Sequence, residues 1–238
     1  MTLGIIGGIS WVSTQHYYQL INAGVNARLG RQHSAPLLIA SVNFQQIVDA
    51  QVREDWQQAG DILVDAGCSL ERGGAKVFLI ASNTMHLAYD RVAQATKLSG
   101  INIITATADR ARALGLKRLG LLGTRYTMAS PFFMEKYAEQ GIEIVIPEAK
   151  DCQSINAIIF KELIYDRCSD ASRSAFREIV QRLAARGVEG VVLGCTELGG
   201  LATNSEGAVA LLDTTAIHCA AAVEWIVARA RKARLPKP

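Results

Sequence analysis

The sequence lacks the features of membrane, secreted and nucleic-acid-binding proteins. No apolar stretch approaches the roughly 20 residues of a membrane span, and no charged-then-apolar leader opens the chain, so we expect a soluble, cytoplasmic protein. The five cysteines show neither CxxC nor Cys/His metal spacing, which favours reduced thiols and no bound metal. Basic residues are scattered apart from a short run at 229–234, so no nucleic-acid partner is expected.

The composition is that of a folded globular protein. Half of the 238 residues are hydrophobic and 20% are charged, with a formal net charge of +3. Such a chain has enough apolar side chains to fill the core of one large domain or two smaller ones.

Short apolar runs alternate with segments of helical period. In the second of these segments, 56–70, and again around 176–183, apolar residues recur three or four positions apart, as on one face of a helix. This alternation predicts an α/β fold in which helices cover both faces of parallel sheets. The predicted strands are 3–6, 37–42, 76–81, 101–105, 118–123, 142–146, 190–194 and 209–213.

The two halves of the chain resemble each other. LGIIGG at 3–8 corresponds to LGLLGT at 119–124, and FLIASNT at 78–84 corresponds to VVLGCTE at 191–197, at similar offsets of 116 and 113 residues. Two matches at nearly one spacing indicate a duplicated α/β unit. We therefore predict two pseudo-symmetric domains that face each other about a twofold axis. Their predicted bounds are 1–106 plus 213–238, with the last helix returning to the first domain, and 107–212.

Four corners between a strand and the following helix carry small or hydroxyl residues, at 7–13, 82–84, 123–127 and 195–197. Ligands of open parallel sheets bind beyond the carboxyl ends of the strands, where helix N-termini attract anions, so a carboxylate or phosphate ligand is expected. The glycines at 4–8 can equally serve only a tight turn. They lack GxGxxG spacing, and no acidic residue follows the second strand, so no dinucleotide cofactor is expected.

Two of the corners present nucleophile-type atoms, the hydroxyl of Ser82 and the thiol of Cys195. A buried cysteine is ordinarily a small hydrophobe. At the first turn of a helix, however, we expect the thiol pKa to be lowered, which favours the thiolate. His86 lies four residues after Ser82, where packing or capping is a more ordinary role than titration. Two mirrored groups suit the inversion of a stereocentre, in which one group removes a proton and the other delivers one to the opposite face.

Together these corners resemble a known family. GGISWVST at 7–14, SNTMH at 82–86, GTRYTM at 123–128, GCTE at 194–197 and DTTAIH at 213–218 are similar, in the right order, to motifs of the aspartate/glutamate racemases. The resemblance implies a pyridoxal-independent racemase without cofactors, usually a homodimer, with its active site in the cleft between two pseudo-symmetric α/β domains. Its substrate would be a small acidic amino acid, aspartate or glutamate, racemised by two-sided exchange of the α-proton.

The resemblance also implies roles for single residues. Cys195 matches the second catalytic cysteine of the family, and Ser82 stands where most members have the first. Arg53 lies where the family places a basic residue for the side-chain carboxylate of the substrate. Lys161 is interpreted as a surface residue. The residues expected to bind substrate are Ser10, Gln51, Arg53, Asn83, Thr84, Tyr126, Thr127, Thr196 and Glu197.

Ser82 is a departure from the family pattern and leaves several interpretations open. A hydroxyl is a far weaker base than a thiol, although it can hand over a proton. Ser82 could mark a natural hydroxyl variant that favours one enantiomer as substrate, or a replaced cysteine. It could also mark single-thiol chemistry, such as decarboxylation, or racemisation of a hydantoin. The competing class is a dicarboxylate-binding relative with impaired catalysis.

Overall fold

The structure, a computed structural model, describes residues 1–165, 167–201 and 209–234, with side chains as far as 230. The chain forms two compact units. The first consists of Met1–Ile103 and of the chain from His218 onward, and the second is Ile104–Ile217. No helix in the described ranges is long and apolar enough to cross a membrane.

The first unit is built on a parallel sheet of four strands in the order β2-β1-β3-β4. In chain order its elements are β1 (Thr2–Gly7), α1 (Trp11–Leu29), β2 (Leu37–Ser41), α2 (Phe44–Val52), α3 (Trp56–Arg72), β3 (Ala75–Ile80), a 3₁₀ helix (Thr84–Ala88), α4 (Tyr89–Ala95) and β4 (Ser99–Gly100).

The second unit repeats this arrangement with a parallel sheet in the order β6-β5-β7-β8. The chain enters it along α5 and leaves it along α10. Its elements are α5 (Ile103–Ala113), β5 (Arg118–Gly123), α6 (Arg125–Met128), α7 (Pro131–Ala138), β6 (Glu143–Val145), α8 (Ala149–Lys161), a 3₁₀ helix (Leu163–Tyr165), α9 (Asp170–Ala185), β7 (Gly190–Gly194), a 3₁₀ helix (Leu198–Leu201), β8 (Ala210–Asp213) and α10 (Thr214–Arg234).

Side chains of the central strands alternate between the two faces of the first sheet, as the period of a strand requires. Leu3 and Ile5 face the core under α1 and α10, whereas Ile6, Phe78 and Ile80 face the core under α2, α3 and α4. Helices on both faces therefore cover the sheet, and the predicted α/β fold with parallel sheets is confirmed.

The last helix completes the first core. Cys219, Val223 and Ile226 of α10 are buried with Tyr17 and Ile21 of α1. These positions recur at three- and four-residue intervals, so one face of each helix is apolar.

In the second unit, one face of the sheet packs against α8 and α9. Leu122 and Leu193 of the central strands are buried with Ile155, Phe176 and Leu183 from these helices. The predicted helix around 176–183 is thus confirmed as part of α9.

One predicted strand is wrong. The fourth strand of the first sheet is the two-residue β4, and residues 101–105 instead run into α5. A short apolar run does not by itself distinguish a strand from a buried helix segment. The fully buried residues Ile103, Thr107 and Ala111 lie four positions apart, and this helical spacing extends beyond the run that suggested a strand.

Candidate active site

In each unit the two central strands end side by side, so that two corners lie at the same edge of each sheet. Ile6 pairs with Ile80 in the first sheet, and Gly123 pairs with Gly194 in the second. The corners at 8–13 and 82–84 are therefore neighbours within the first unit. Those at 124–127 and 195–197 are neighbours within the second.

The corner after β1 is held by hydroxyl groups. Gly8 has φ +85°, and a Cβ there would lie 2.2 Å from the carbonyl oxygen of Val42, so only glycine fits. Its N–H donates to Thr14 Oγ1 (2.8 Å), which in turn donates to the Ser10 carbonyl (3.1 Å). Ser10 caps α1 by accepting a long hydrogen bond from the N–H of Ser13 (3.5 Å).

The corner after β3 places Ser82, Asn83 and Thr84 in a buried position. A 3₁₀ helix follows it. Ser82 is 8% exposed, and its Oγ accepts a hydrogen bond from the N–H of Met85 (3.4 Å). A hydroxyl that accepts through its oxygen keeps its own proton for donation, so Ser82 can act as an acid.

His86 does not contact the Ser82 hydroxyl through a hydrogen bond. Its Nδ1 bonds the Ser82 carbonyl (2.7 Å), and its Nε2 accepts from the N–H of Ile103 (3.1 Å). Burial, and then the nearby His218, lower the pKa of His86 to about 3, so the ring is neutral. The expected packing or capping role is confirmed.

The structure brings Gln51 to the Ser82 corner but leaves Arg53 at the surface. Gln51 is buried on α2 and its Nε2 donates to the sulfur of Met85 (3.6 Å), directly beyond Thr84. Arg53 follows the end of α2, is exposed, and donates to Gln58 Oε1 (2.7 Å).

The corner after β5 contains Tyr126, which is half-buried, and Thr127, which is buried. Arg125, to which the sequence analysis gave no role, donates to the Tyr126 hydroxyl (2.7 Å) and lies over its ring, 4.7 Å from the centroid. Its backbone N–H donates to Asn156 Oδ1 (2.8 Å). Arg125 could have been singled out from the sequence, because it is the cationic residue of the GTRYTM motif at 123–128.

The corner after β7 couples a thiol to a carboxylate. Cys195 is 9% exposed, and its Sγ donates to Glu197 Oε2 (3.0 Å). The Thr196 hydroxyl donates to the same oxygen (2.6 Å). Thr196 therefore orients the Glu197 carboxylate, which is placed to exchange a proton with Cys195.

The expectation of a lowered thiol pKa is wrong. Burial raises the pKa of Cys195 well above its usual value, and the negative charge of Glu197 raises it further. Cys195 thus rests as a thiol, its proton directed at a carboxylate.

Ser82 and Cys195 occupy similar places in their units, each within two residues of the end of the second central strand of its sheet. Each is accompanied by the polar residues of the same corner, Asn83 and Thr84 in one case, and Thr196 and Glu197 in the other. Within the described residues, no group of three or more His, Cys, Asp or Glu side chains could hold a metal ion.

Comparison with known proteins gives consistent matches. The sequence profile of the Asp/Glu/hydantoin racemases matches residues 6–222. A candidate Asp/Glu racemase from Yersinia pestis is 40% identical, with a TM-score of 0.89 over 95% of this chain and 99% of that one. An aspartate racemase homologue from Pyrococcus horikoshii OT3 is 31% identical, with a TM-score of 0.81 over the same shares. Picrophilus torridus aspartate racemase shares the fold at 21% identity, with a TM-score of 0.70 over 99% and 96%.

Proposed function

Because this chain belongs to the Asp/Glu/hydantoin racemase family and is an isomerase, we propose that it racemises aspartate or glutamate by cofactor-independent exchange of the α-proton. The observation that carries the proposal is the matched placement of Ser82 and Cys195. Each follows the equivalent strand of its own sheet, and each is more than nine-tenths buried.

Inversion at the α-carbon requires one group that removes the proton and another that supplies a proton on the opposite face. For Cys195 to remove it, the thiol proton first moves to Glu197 Oε2, 3.0 Å away. The thiolate then takes the α-proton. Ser82 supplies the replacing proton from its hydroxyl. Afterwards Ser82 regains a proton from water and Glu197 releases its proton to solvent, so that both groups return to their starting states.

The α-carboxylate is proposed to bind the polar groups of the corners. Backbone N–H groups there, with Asn83, Thr84, Thr127 and Thr196, stabilise the charge that develops on the carboxylate as the α-proton leaves. Ser10 and Tyr126 complete the two corners at 8–13 and 124–127.

The side-chain carboxylate of the substrate is assigned to Arg53, assisted by Gln51. Arg53 bonds the neutral amide of Gln58. A guanidinium gains by exchanging an amide for a carboxylate, because the new hydrogen bonds are charge-assisted and bidentate. Gln51 lies buried beside Met85 and adds a neutral amide close to the Ser82 corner.

Two enantiomers have equal free energy, so kcat/KM for racemisation must be the same in both directions. The unequal groups are instead expected to show in isotope exchange and in the separate kcat values. The enantiomer whose α-proton faces Cys195 should exchange with solvent readily. The enantiomer facing Ser82 should exchange slowly, since a hydroxyl is a poor base.

The test follows α-deuterium incorporation and optical rotation with each enantiomer of aspartate and glutamate in deuterated water. Exchange with at least one acidic amino acid is expected, together with its loss in Cys195→Ser. Cys219→Ser is the matched control, because Cys219 is also a buried thiol but lies in the core of the first unit. Exchange that persists in Cys195→Ser would contradict the role of the thiol.

Other outcomes distinguish the alternatives. Tight binding of a dicarboxylate by calorimetry without exchange would indicate a binding protein. Release of CO2 from a substituted malonate would indicate a decarboxylase, and exchange with hydantoins alone a hydantoin racemase. We also propose a homodimer in the cytoplasm, which sedimentation and fractionation can test.

A further inference from the structure

Two fully buried histidines form a pair inside the first unit that the proposed reaction does not use. His86 belongs to the 3₁₀ helix after β3 and His218 to α10. Their ring centroids lie 5.6 Å apart in an edge-on contact. His86 also stacks on Tyr89, with 5.7 Å between centroids and 9° between planes.

The partners of His86 determine its tautomer. The Ser82 carbonyl can only accept a hydrogen bond, so Nδ1 carries the proton and donates to it (2.7 Å). The backbone N–H of Ile103 can only donate, so Nε2 must be unprotonated (3.1 Å). Both ring nitrogens are therefore committed to main-chain groups.

His218 has the opposite tautomer by the same reasoning. Its Nε2 donates to the Ile101 carbonyl (2.8 Å), and its Nδ1 therefore accepts from the Tyr17 hydroxyl (2.9 Å). The pair thus binds the main chain at Ile101 and at Ile103, directly before the chain passes into the second unit.

We propose that His86 is a positioning residue for Ser82, holding the main chain of the catalytic corner through the Ser82 carbonyl while Ile103 fixes the far side of the ring. This inference rests on the proposed function of Ser82. Two hydrogen bonds together fix where the Ser82 hydroxyl can point: the one from His86 to the Ser82 carbonyl, and the one from the Met85 N–H to Ser82 Oγ (3.4 Å). Catalytic groups must be held this closely, because small displacements cost large factors in rate.

The hydrogen bonds of His86 fit a positioning role and not a proton relay. His86 contacts the Ser82 carbonyl rather than its hydroxyl, and a second proton on Nε2 would oppose the N–H of Ile103. The titratable groups that face the ring are His218 and Tyr89, and Tyr17 faces His218. None of these three supplies a negative charge that would favour a cationic imidazole.

The first test is independent of activity. In the full-length protein labelled with ¹⁵N-histidine, His86 should show a protonated Nδ1 and His218 a protonated Nε2, each serving as the internal control for the other. Both tautomers should persist from about pH 8 down to about pH 5.5, because the rings stay neutral in the folded state. An Nε2–H tautomer for His86, or titration near neutral pH, would overturn the inference.

The second test uses two substitutions that each keep one hydrogen bond. In His86→Asn the amide nitrogen stands near the place of Nδ1 and keeps the bond to Ser82. In His86→Gln the amide oxygen stands near the place of Nε2 and keeps the bond to Ile103. We expect kcat to fall by about tenfold or more in His86→Gln and by less than about threefold in His86→Asn, with little change in KM.

His218→Gln is the matched control, since His218 is equally buried but bonds Ile101 and Tyr17 rather than the Ser82 corner. This variant should lose stability while keeping most of kcat. The pH dependence of kcat should keep its shape in His86→Asn, His86→Gln and His218→Gln. Equal loss of kcat in His86→Asn and His86→Gln would overturn the positioning role. If the unsubstituted protein shows no exchange, the proposed function fails, and the tautomer measurement still decides the geometry.

Discussion

Acidification should destabilise the first unit through the buried histidine pair. Burial, and then the nearby His218, lower the pKa of His86 to about 3, and burial lowers that of His218 to about 4, from 6.5. When the unit unfolds, both rings reach water and recover the ordinary value. Between the folded pKa values and the unfolded value of 6.5, the unfolded chain binds two protons that the folded unit excludes. The free energy of unfolding must therefore fall as pH falls.

The magnitude follows from the same values. Stabilisation by the neutral rings is complete above the unfolded pKa of 6.5 and declines as pH drops towards the folded values. Between about pH 7.5 and about pH 5, each histidine lowers the free energy of unfolding by about 2 kcal/mol, so the pair lowers it by about 4 kcal/mol. That is a large part of the roughly 5–15 kcal/mol that holds a domain folded.

Tryptophan fluorescence during urea unfolding suits this measurement, because Trp11, Trp56 and Trp225 all lie in the first unit. The free energy of unfolding from these curves should drop by about 4 kcal/mol over the stated pH range, and by about half as much in His218→Gln. A change below about 1 kcal/mol would refute the reasoning, because it would mean that the rings titrate alike in both states.

Three further predictions concern single substitutions. Glu197→Gln removes a charge that raises the thiol pKa of Cys195, so alkylation by iodoacetamide at fixed alkaline pH should be faster than in the unsubstituted protein; an unchanged rate would argue against the contact. Leu63→Ala truncates a fully buried side chain of α3 and should cost about 2–5 kcal/mol in urea unfolding. Gly123→Ala would place a Cβ 2.9 Å from the Gly194 carbonyl oxygen, so a melting temperature lower by several degrees is expected and an unchanged one would be inconsistent.

The sheets were predictable because their central strands are buried on both faces. Parallel strands such as β1 and β5 are mostly apolar and end in glycine, and such runs are visible in sequence. The repeated motifs also predicted that both halves would share one topology, and the two sheets do have the same strand order. β4 was not found, because two residues carry no periodic signal.

The electrostatics of the candidate site could not be read from sequence. Whether a corner cysteine is activated depends on its burial and on the side chains around it. Burial, and then the Glu197 carboxylate, raise the pKa of Cys195 instead of lowering it. The role of His86 depends on Ile103, 17 positions away, and that of His218 on Tyr17, 201 positions away. Contacts this distant follow from tertiary packing and not from local pattern.

The central claim is that two unlike groups serve the two faces of one carbon atom. Its most direct measurement is mass spectrometry of both enantiomers during the first turnovers in deuterated water. We predict that the newly formed enantiomer carries deuterium at the α-carbon while unreacted substrate facing Ser82 retains its hydrogen. Deuterium entering unreacted substrate that faces Ser82 as fast as it enters the product would contradict the account, because it would show that Ser82 does not limit exchange on its face.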